Sequence, residues 1–312
     1  MSPPGRPKGE YRRAQPEGTP VSAEAVREQA LVFDCEGDAL LGILTDPAST
    51  PTPDVGVVIV VGGPQVRAGS HRQFVKLARA MAAGGHPVLR FDVRGMGDSS
   101  GPMRNFEGIG ADIGAAVDAL MAARPALRGV VLWGLCDGAS AALLYLDARP
   151  DQRVLGLALV NPWVRSEASQ ARTQVRHYYL QRLRQPGFWR KLLRGGVALG
   201  AWRELGSALA RTLGRPATTS PAAPARYQDR MATAANHFDG PMLLVLSGND
   251  HTAREFESFA RGHPAWTRAL ARPALSRVDI ADADHTFSQP RAREALHAST
   301  LHWLVHAGAG HG

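Results

Sequence analysis

The feature that most constrains this chain is a regular alternation of short apolar runs, rich in β-branched residues, with longer Ala-rich segments of helical period. Such alternation is typical of a mostly parallel sheet with helices on both faces. Strands are predicted over residues 31–36, 40–45, 55–61, 87–92, 130–134, 154–160, 242–247 and 277–280, and helices over 70–83, 109–123, 137–148, 253–261 and 291–306. No helix separates the first two of these eight strands, so we expect an antiparallel hairpin at one edge of an α/β fold.

The alternation breaks once, after Pro162, which predicts an insertion. Residues 163–235 contain amphipathic stretches and a loop rich in Pro, Ala and Thr, and we interpret them as an inserted, basic helical cap. The core is predicted to comprise residues 29–162 and 236–307. Residues 1–28 are rich in Pro, Gly and charge, which is typical of a disordered tail.

Two features predict a cytoplasmic location. No apolar run is long enough for a signal segment or a membrane span. The two cysteines, Cys35 and Cys136, lie in no CxxC motif or Cys/His cluster, which argues against a disulfide scaffold and a zinc site.

The segment VVLWGLCDGAS, residues 130–140, predicts a sharp turn from a strand into a helix with Cys136 at its apex. Gly134 and Gly138 flank it in the pattern GxSxG, with Cys in place of Ser, as in a nucleophile elbow. The helix N-terminus and a nearby imidazole predict a lowered pKa for the Cys136 thiol. The alternative is that Cys136 is a small buried hydrophobic residue, as we expect for Cys35.

A nucleophile in this turn needs a histidine base and an acid, in the chain order nucleophile, acid, histidine. Asp250 follows the strand MLLVLS, and His285 follows the strand RVDI. Each lies at the carboxyl end of its strand, where open α/β sheets gather their sites. His251 is the reserve for the base, and Asp282 or Asp284 for the acid. No metal site is predicted there, since no further ligands cluster.

Two backbone N–H groups are expected to stabilise a tetrahedral oxyanion. Asp137, after the nucleophile, supplies one. The other should come from the loop VGGPQVRAGS, where Pro64 has no N–H, so Gln65 is the candidate and Gly63 the reserve. The alternative is that the glycines of this loop only form a tight turn. The Asp137 carboxylate disfavours a neighbouring thiolate but complements the helix dipole, and its role stays open.

The net charge of +8 is concentrated in one segment. Residues 165–215 carry eleven Arg or Lys against two Glu, and Tyr178 and Trp189 lie among them as candidate substrate contacts. Three interpretations of this basic segment stay open. It is simply solvated, it faces anionic lipid at the inner side of the membrane, or it binds a phosphorylated substrate. Nucleic acid is not expected, because no recognised binding motif accompanies the charge.

Further motifs carry a family resemblance. The segment FDVRGMGDSSG, residues 91–101, is similar to a motif recurrent after the fourth strand of α/β-hydrolases. With GGPQVRAGSHRQF, GLCDGAS and NPWVR, the chain resembles the exosortase A system-associated hydrolase 1 family. The resemblance implies a bacterial cytoplasmic hydrolase encoded alongside exopolysaccharide synthesis and exosortase sorting. The thiol also resembles that of dienelactone hydrolases, but Asp137 and the long cap depart from those enzymes, so their lactone substrate is not carried over.

These observations predict an α/β-hydrolase that cleaves an ester or thioester bond of a small acyl substrate. Cys136 would form an acyl-enzyme with the help of His285 and Asp250, without a cofactor. Two alternatives remain open. The acyl-enzyme could pass its acyl group to an alcohol or amine, or the fold could be a catalytically silent binding protein.

Overall fold

The fold is described from a computed structural model, which covers residues 26–48, 54–63, 65–165 and 225–309. The predicted tail lies outside the described residues, apart from the first residues of the first strand. Tyr178, Trp189 and most of the predicted cap also lie outside them.

An eight-stranded sheet organises the chain, in the order β1-β2-β4-β3-β5-β6-β7-β8. β1 and β2 form an antiparallel hairpin, β2 runs antiparallel to β4, and the remaining pairs are parallel. The strands are β1 Val26–Cys35, β2 Asp38–Pro47, β3 Val55–Val60, β4 Val88–Phe91, β5 Gly129–Leu135, β6 Val154–Val160, β7 Met242–Ser247 and β8 Leu275–Ile280. The prediction of eight strands with an edge hairpin is confirmed.

Seven α-helices of four residues or more cover the two faces of this sheet within the described ranges. They are α1 Gln73–Ala83, α2 Gly110–Ala123, α3 Asp137–Ala148, α4 Tyr227–His237, α5 His251–Arg261, α6 Pro264–Leu270 and α7 Pro290–Ala309. α1 and α7 pack on one face with β3, β5 and β7, and α2 to α6 contribute to the core on the other. This arrangement confirms the predicted α/β-hydrolase fold class.

α4 was not predicted, although it belongs to the core. It lies inside the segment expected to form the cap, yet Met231 and Ala232 are fully buried in the same cluster as the helix α3. Its sequence, YQDRMATAANH, offers only a narrow apolar stripe and follows a Pro-rich stretch of sequence. The chain therefore returns to the core at Tyr227, earlier than residue 236.

Buried polar contacts tie together the carboxyl ends of the strands. Asn161, directly after β6, donates from Nδ2 to Ser247 Oγ over 2.9 Å and accepts from Ser247 N over 2.9 Å. Both side chains are buried, so these reciprocal hydrogen bonds hold the two strand ends in register. Within the described ranges, no helix is long and apolar enough to cross a membrane.

Candidate active site

Cys136 lies at the apex of a tight turn between β5 and α3. Its backbone has φ 60° and ψ −125°, a conformation that residues other than glycine rarely adopt. Glycine is required on both sides of Cys136 because other backbone atoms approach these two positions closely. A Cβ on Gly134 would lie 2.5 Å from Ala139 N, and one on Gly138 would lie 2.4 Å from Val60 O. The G-x-C-x-G pattern thus fits the steric demands of the elbow, as the sequence predicted.

Backbone hydrogen bonds fix this elbow against the end of β6. Cys136 N donates to Val160 O over 2.9 Å, and Trp163 N donates to Cys136 O over 3.3 Å. Ser140, one turn into α3, donates from Oγ to Trp163 O over 2.7 Å. The strained residue is therefore held from both sides.

Asp250 and His285 meet beyond the ends of β7 and β8, as the chain order predicted. His285 Nδ1 lies 2.8 Å from Asp250 Oδ2. Asp250 also caps α5, because its two carboxylate oxygens accept from Thr252 N and Ala253 N over 3.1 and 3.2 Å. Burial raises the pKa of Asp250, but the His285 contact and these N–H groups outweigh it, so the carboxyl pKa lies below its usual value.

The other acidic and basic candidates have different positions. Asp284 accepts from Thr286 N and Ser288 N, and thereby shapes the turn that presents His285. Asp282 and His251 are exposed. Of the acidic candidates, the structure therefore brings Asp250 to the histidine.

The Cys136 thiol lies in an environment that favours its protonated form. Burial raises the pKa of Cys136 to about 12, and the charges of Asp137 and Asp250 add to this effect. The Asp137 N–H and the Arg165 charge oppose it, but they are outweighed. The predicted lowering of the thiol pKa is therefore wrong in direction, because burial and two carboxylates outweigh the helix dipole. No hydrogen bond joins Cys136 Sγ to His285 in the part of the chain described.

The Asp137 carboxylate folds back from the start of α3 onto the loop after β3. A Cβ on Gly62 would lie 2.0 Å from Asp137 Oδ1, and one on Gly63 would lie 3.4 Å from Oδ2. Burial raises the pKa of Asp137 above its usual value, while hydrogen bonding from the N–H groups of Gly63, Asp137 and Gly138 holds it down.

Gly63, the reserve candidate for the second oxyanion donor, is thus the residue that the structure brings to the elbow. Its φ of 60° is easily reached only by glycine. The side-chain oxygen of Gln65 accepts from Gln73 Nε2 over 3.4 Å, and within the described residues no contact joins the Gln65 N–H to the elbow. Gln65 was the first candidate from the sequence because Pro64 has no N–H. The sequence does not show which backbone N–H of this loop lies nearest to the elbow.

The motif after β4 positions this loop. Asp92 is fully buried and accepts from Arg67 N over 2.6 Å and from Asp98 N over 3.1 Å. It also forms an ion pair with the Arg67 guanidinium, which in turn reaches Asp98 over 2.6 Å. The carboxylate therefore holds the β3 loop against the β4 loop, beside the elbow.

A cavity of about 270 Å³ opens beside Asp137. Its walls are mainly apolar and include Val93, Met96, Phe106 and Ile109. Two larger cavities, of about 420 and 750 Å³, are lined by residues around Asp151 and lie near the amino end of β6, away from the elbow. A third, of about 550 Å³, lies against β7, β8 and α7, and no residue of the elbow lines it. The smaller cavity is therefore the better candidate for an acyl group.

Trp163, Arg165 and Tyr227 lie beside the elbow and were not among the residues predicted for the site. The Arg165 guanidinium lies 4.9 Å from the centre of the Trp163 ring, pairs with Glu255 over 2.8 Å, and lowers the Cys136 pKa through its charge. Tyr227 donates from its hydroxyl to Arg165 O over 2.7 Å. In the sequence, the only indication of these residues was the motif NPWVR directly after β6. Across the described ranges, no group of three or more His, Cys, Asp or Glu is arranged to hold a metal ion.

Comparison with known proteins places this geometry in context. Residues 53–263 match a family model, Hydrolase_4, described as serine aminopeptidase, S33. Comparison with curated protein sequences finds no match.

Solved structures similar to the chain include an esterase, a lactone hydrolase and a dehalogenase. The esterase Pf2001 of Pyrococcus furiosus has a TM-score of 0.60 at 15% identity, covering 91% of this chain and 94% of that one. Dienelactone hydrolase of Anabaena variabilis has a TM-score of 0.58 at 16% identity, covering 91% and 99%. Haloalkane dehalogenase DatA of Agrobacterium tumefaciens has a TM-score of 0.55 at 19% identity, covering 90% and 97%. At these identities the likeness shows the fold alone.

Proposed function

Because the chain belongs to the Hydrolase_4 family (serine aminopeptidase, S33), we propose that it hydrolyses ester or thioester bonds with Cys136 as the nucleophile. His285 is the general base and Asp250 orients its imidazole. The observation that carries this proposal is the 2.8 Å contact between His285 and Asp250 at the edge of the sheet where the elbow presents Cys136. The family description names a serine, and this chain has a thiol at that position.

Catalysis proceeds by general-base activation of a neutral thiol. His285 takes the thiol proton as Cys136 Sγ attacks the carbonyl carbon, and the oxyanion accepts from the N–H groups of Asp137 and Gly63. The intermediate collapses, and the leaving group takes the proton from His285. Water then attacks the thioester of the acyl-enzyme with His285 as base, which releases the acid and restores the Cys136 thiol. A thiol pKa of about 12 makes the base necessary at neutral pH.

The thiol also favours particular leaving groups. In the first tetrahedral intermediate, the group with the lower pKa departs more readily. The Cys136 thiolate is therefore expelled more readily than an alkoxide, so the tetrahedral intermediates of simple alkyl esters revert to substrate. Thioesters and aryl esters carry leaving groups of comparable or lower pKa, so we expect them to be turned over faster.

The experiment that tests the proposal uses a panel of thioesters, aryl esters and alkyl esters of matched acyl chains. Cys136→Ala and Cys136→Ser are expected to lose at least about 100-fold in kcat/KM, as other enzymes do when they lose a nucleophile. Cys35→Ala is the matched control, because it removes the other thiol of the chain and is expected to keep wild-type activity. Full activity of Cys136→Ala would exclude the mechanism.

A silent binding protein is the second candidate function. The raised pKa of Cys136 favours it, as does the missing hydrogen bond between Sγ and His285 in the described chain. This candidate function predicts a different result in the substrate panel. Every substrate of the panel would be left intact, while the protein would still bind acyl compounds with an affinity that Cys136→Ala leaves unchanged.

Acyl transfer is a variant of the same chemistry, since an alcohol or amine can replace water in attacking the acyl-enzyme. A rise in acyl-polyol product with added polyol, at the expense of free acid, would identify it. An acceptor of this kind would suit the exopolysaccharide and exosortase setting that the family resemblance implies. The basic part of the insertion, residues 166–224, is proposed to cap the site and contact anionic lipid, at the inner face of the membrane.

A further inference from the structure

The Asp137 side chain lies where the reacting oxygen of a substrate would be stabilised. Its Oδ1 would touch a Cβ on Gly62 at 2.0 Å, and its Oδ2 one on Gly63 at 3.4 Å, so the carboxylate rests on the Gly62–Gly63 backbone. It also borders the apolar cavity of about 270 Å³. A charged group is thus placed between the elbow and the volume best suited to an acyl chain.

The donors that hold this carboxylate are those that an oxyanion needs. Acyl transfer at an elbow uses the N–H of the residue after the nucleophile and an N–H from the loop after β3. The Asp137 N–H and the Gly63 N–H both act on the Asp137 carboxyl and favour its ionised form. Gly138 N contributes a third donor. The Asp137 carboxylate therefore lies against the donors of the oxyanion hole before any substrate arrives.

We propose that the Asp137 carboxylate competes with the substrate for the oxyanion hole, so that acyl transfer requires this side chain to leave. The two acceptors exclude each other, because both use the same pair of N–H groups and both carry negative charge in the transition state. Asp137 thus limits turnover of neutral thioesters and discriminates against substrates that cannot displace it. The inference rests on the proposed function, since it concerns the same thiol reaction.

Shortening Asp137 tests the competition. Asp137→Ala removes the acceptor and is expected to raise kcat/KM for a neutral thioester by roughly tenfold to hundredfold, somewhat less than the roughly 100- to 1,000-fold that a single oxyanion donor controls. Asp137→Asn keeps an amide oxygen in the same place and is expected to fall between Asp137→Ala and the wild type. Asp118→Asn is the matched control, because it removes the same charge at an exposed position of α2.

A second measurement separates the oxyanion hole from the thiol. Alkylation by iodoacetamide needs the thiolate but forms no oxyanion, so its rate reports only the effect of Asp137 on the ionisation of Cys136. If Asp137 blocks the hole, kcat/KM rises by a larger factor than the alkylation rate at the same pH. Equal factors would overturn the proposal and leave Asp137 a purely electrostatic influence on the thiol.

Aldehyde binding gives a readout that is independent of turnover. Octanal adds to a thiol to form a thiohemiacetal, in which sulfur bonds to the carbonyl carbon and the thiol proton ends on the former carbonyl oxygen. That oxygen occupies the oxyanion hole, so Asp137→Ala is expected to bind octanal at least tenfold more tightly than the wild type. Unchanged or weaker binding by a folded Asp137→Ala protein, with an unaltered melting temperature, contradicts the inference.

The two proposals fail differently. Wild-type turnover that Cys136→Ala abolishes, combined with no gain in Asp137→Ala or Asp137→Asn, overturns the competition alone. No turnover in any variant, or turnover that survives Cys136→Ala, overturns the proposed function.

Discussion

Asp250 has two structural roles, and each constrains its side chain differently. It caps α5 through the N–H groups of Thr252 and Ala253, and it contacts His285 Nδ1 over 2.8 Å. The cap orients the carboxylate, and the carboxylate fixes the imidazole with Nδ1 protonated and Nε2 free to accept a proton.

Asp250→Asn is therefore expected to lower kcat sharply while leaving the fold intact. An amide can still cap the helix, but it can present its NH₂ group to Nδ1 and stabilise the wrong tautomer. In serine proteases the equivalent change costs about 10⁴-fold in kcat, and we expect at least about 10²-fold here. The measurement is kcat on a thioester, with Asp282→Asn, an exposed neighbour of His285, as the control. A loss confined to KM would argue against an orienting role.

Cys136 leads to a prediction about pH. A thiol with a pKa of about 12 carries little thiolate at neutral pH. Well below the pKa, the thiolate fraction rises tenfold per pH unit, so the alkylation rate is expected to climb without a plateau from pH 6 to roughly 10. Iodoacetamide kinetics in a Cys35→Ala background measure this. A plateau near neutral pH would show a depressed pKa and contradict the environment described.

At the scale of elements, the sheet could be predicted because β3, β5 and β7 consist almost entirely of apolar residues, as buried parallel strands do. The proposed catalytic positions followed from the same pattern, since each lies where a predicted strand ends. α4 and α6 escaped prediction because their stability comes from packing rather than from their own periodicity. The position of the Asp137 carboxylate depends on how closely the β3 loop approaches α3, which no pattern along the chain encodes.

The ion pair between the β3 and β4 loops gives a prediction about stability. Asp92→Asn removes the charge from a fully buried carboxylate and leaves the Arg67 guanidinium, which is 20% exposed, with a weaker partner. Breaking a buried pair in this way is expected to cost about 3 kcal/mol in the free energy of unfolding. Asp98→Asn is the matched control, because Asp98 is 65% exposed and its loss should cost less than about 1 kcal/mol. Urea denaturation of both variants measures the difference, and equal costs would show that Asp92 does not lock the loops.

For the whole molecule, charge and chemistry are separated along the chain. The net charge is +8, and residues 165–215 alone carry an excess of nine positive charges, so the remainder is close to neutral. The proposed catalytic residues Cys136, Asp250 and His285 all lie outside this segment. Electrostatic binding to an anionic membrane should therefore depend on residues 165–215. Hydrolysis of a dissolved thioester should depend on the residues outside this segment.

Neutralising part of the basic segment tests this separation. Each basic residue near an anionic membrane contributes about 1 kcal/mol, so replacing Arg182, Arg184, Arg190 and Lys191 with Gln is expected to weaken binding to phosphatidylserine vesicles by at least about 100-fold. A matched control replaces the same number of exposed arginines elsewhere with Gln, namely Arg27, Arg149, Arg268 and Arg291. Co-sedimentation at low and high salt measures binding, which should fall as salt screens the charges. Equal losses in both variants would show that only total charge matters, and binding to neutral vesicles would argue for an apolar contact instead.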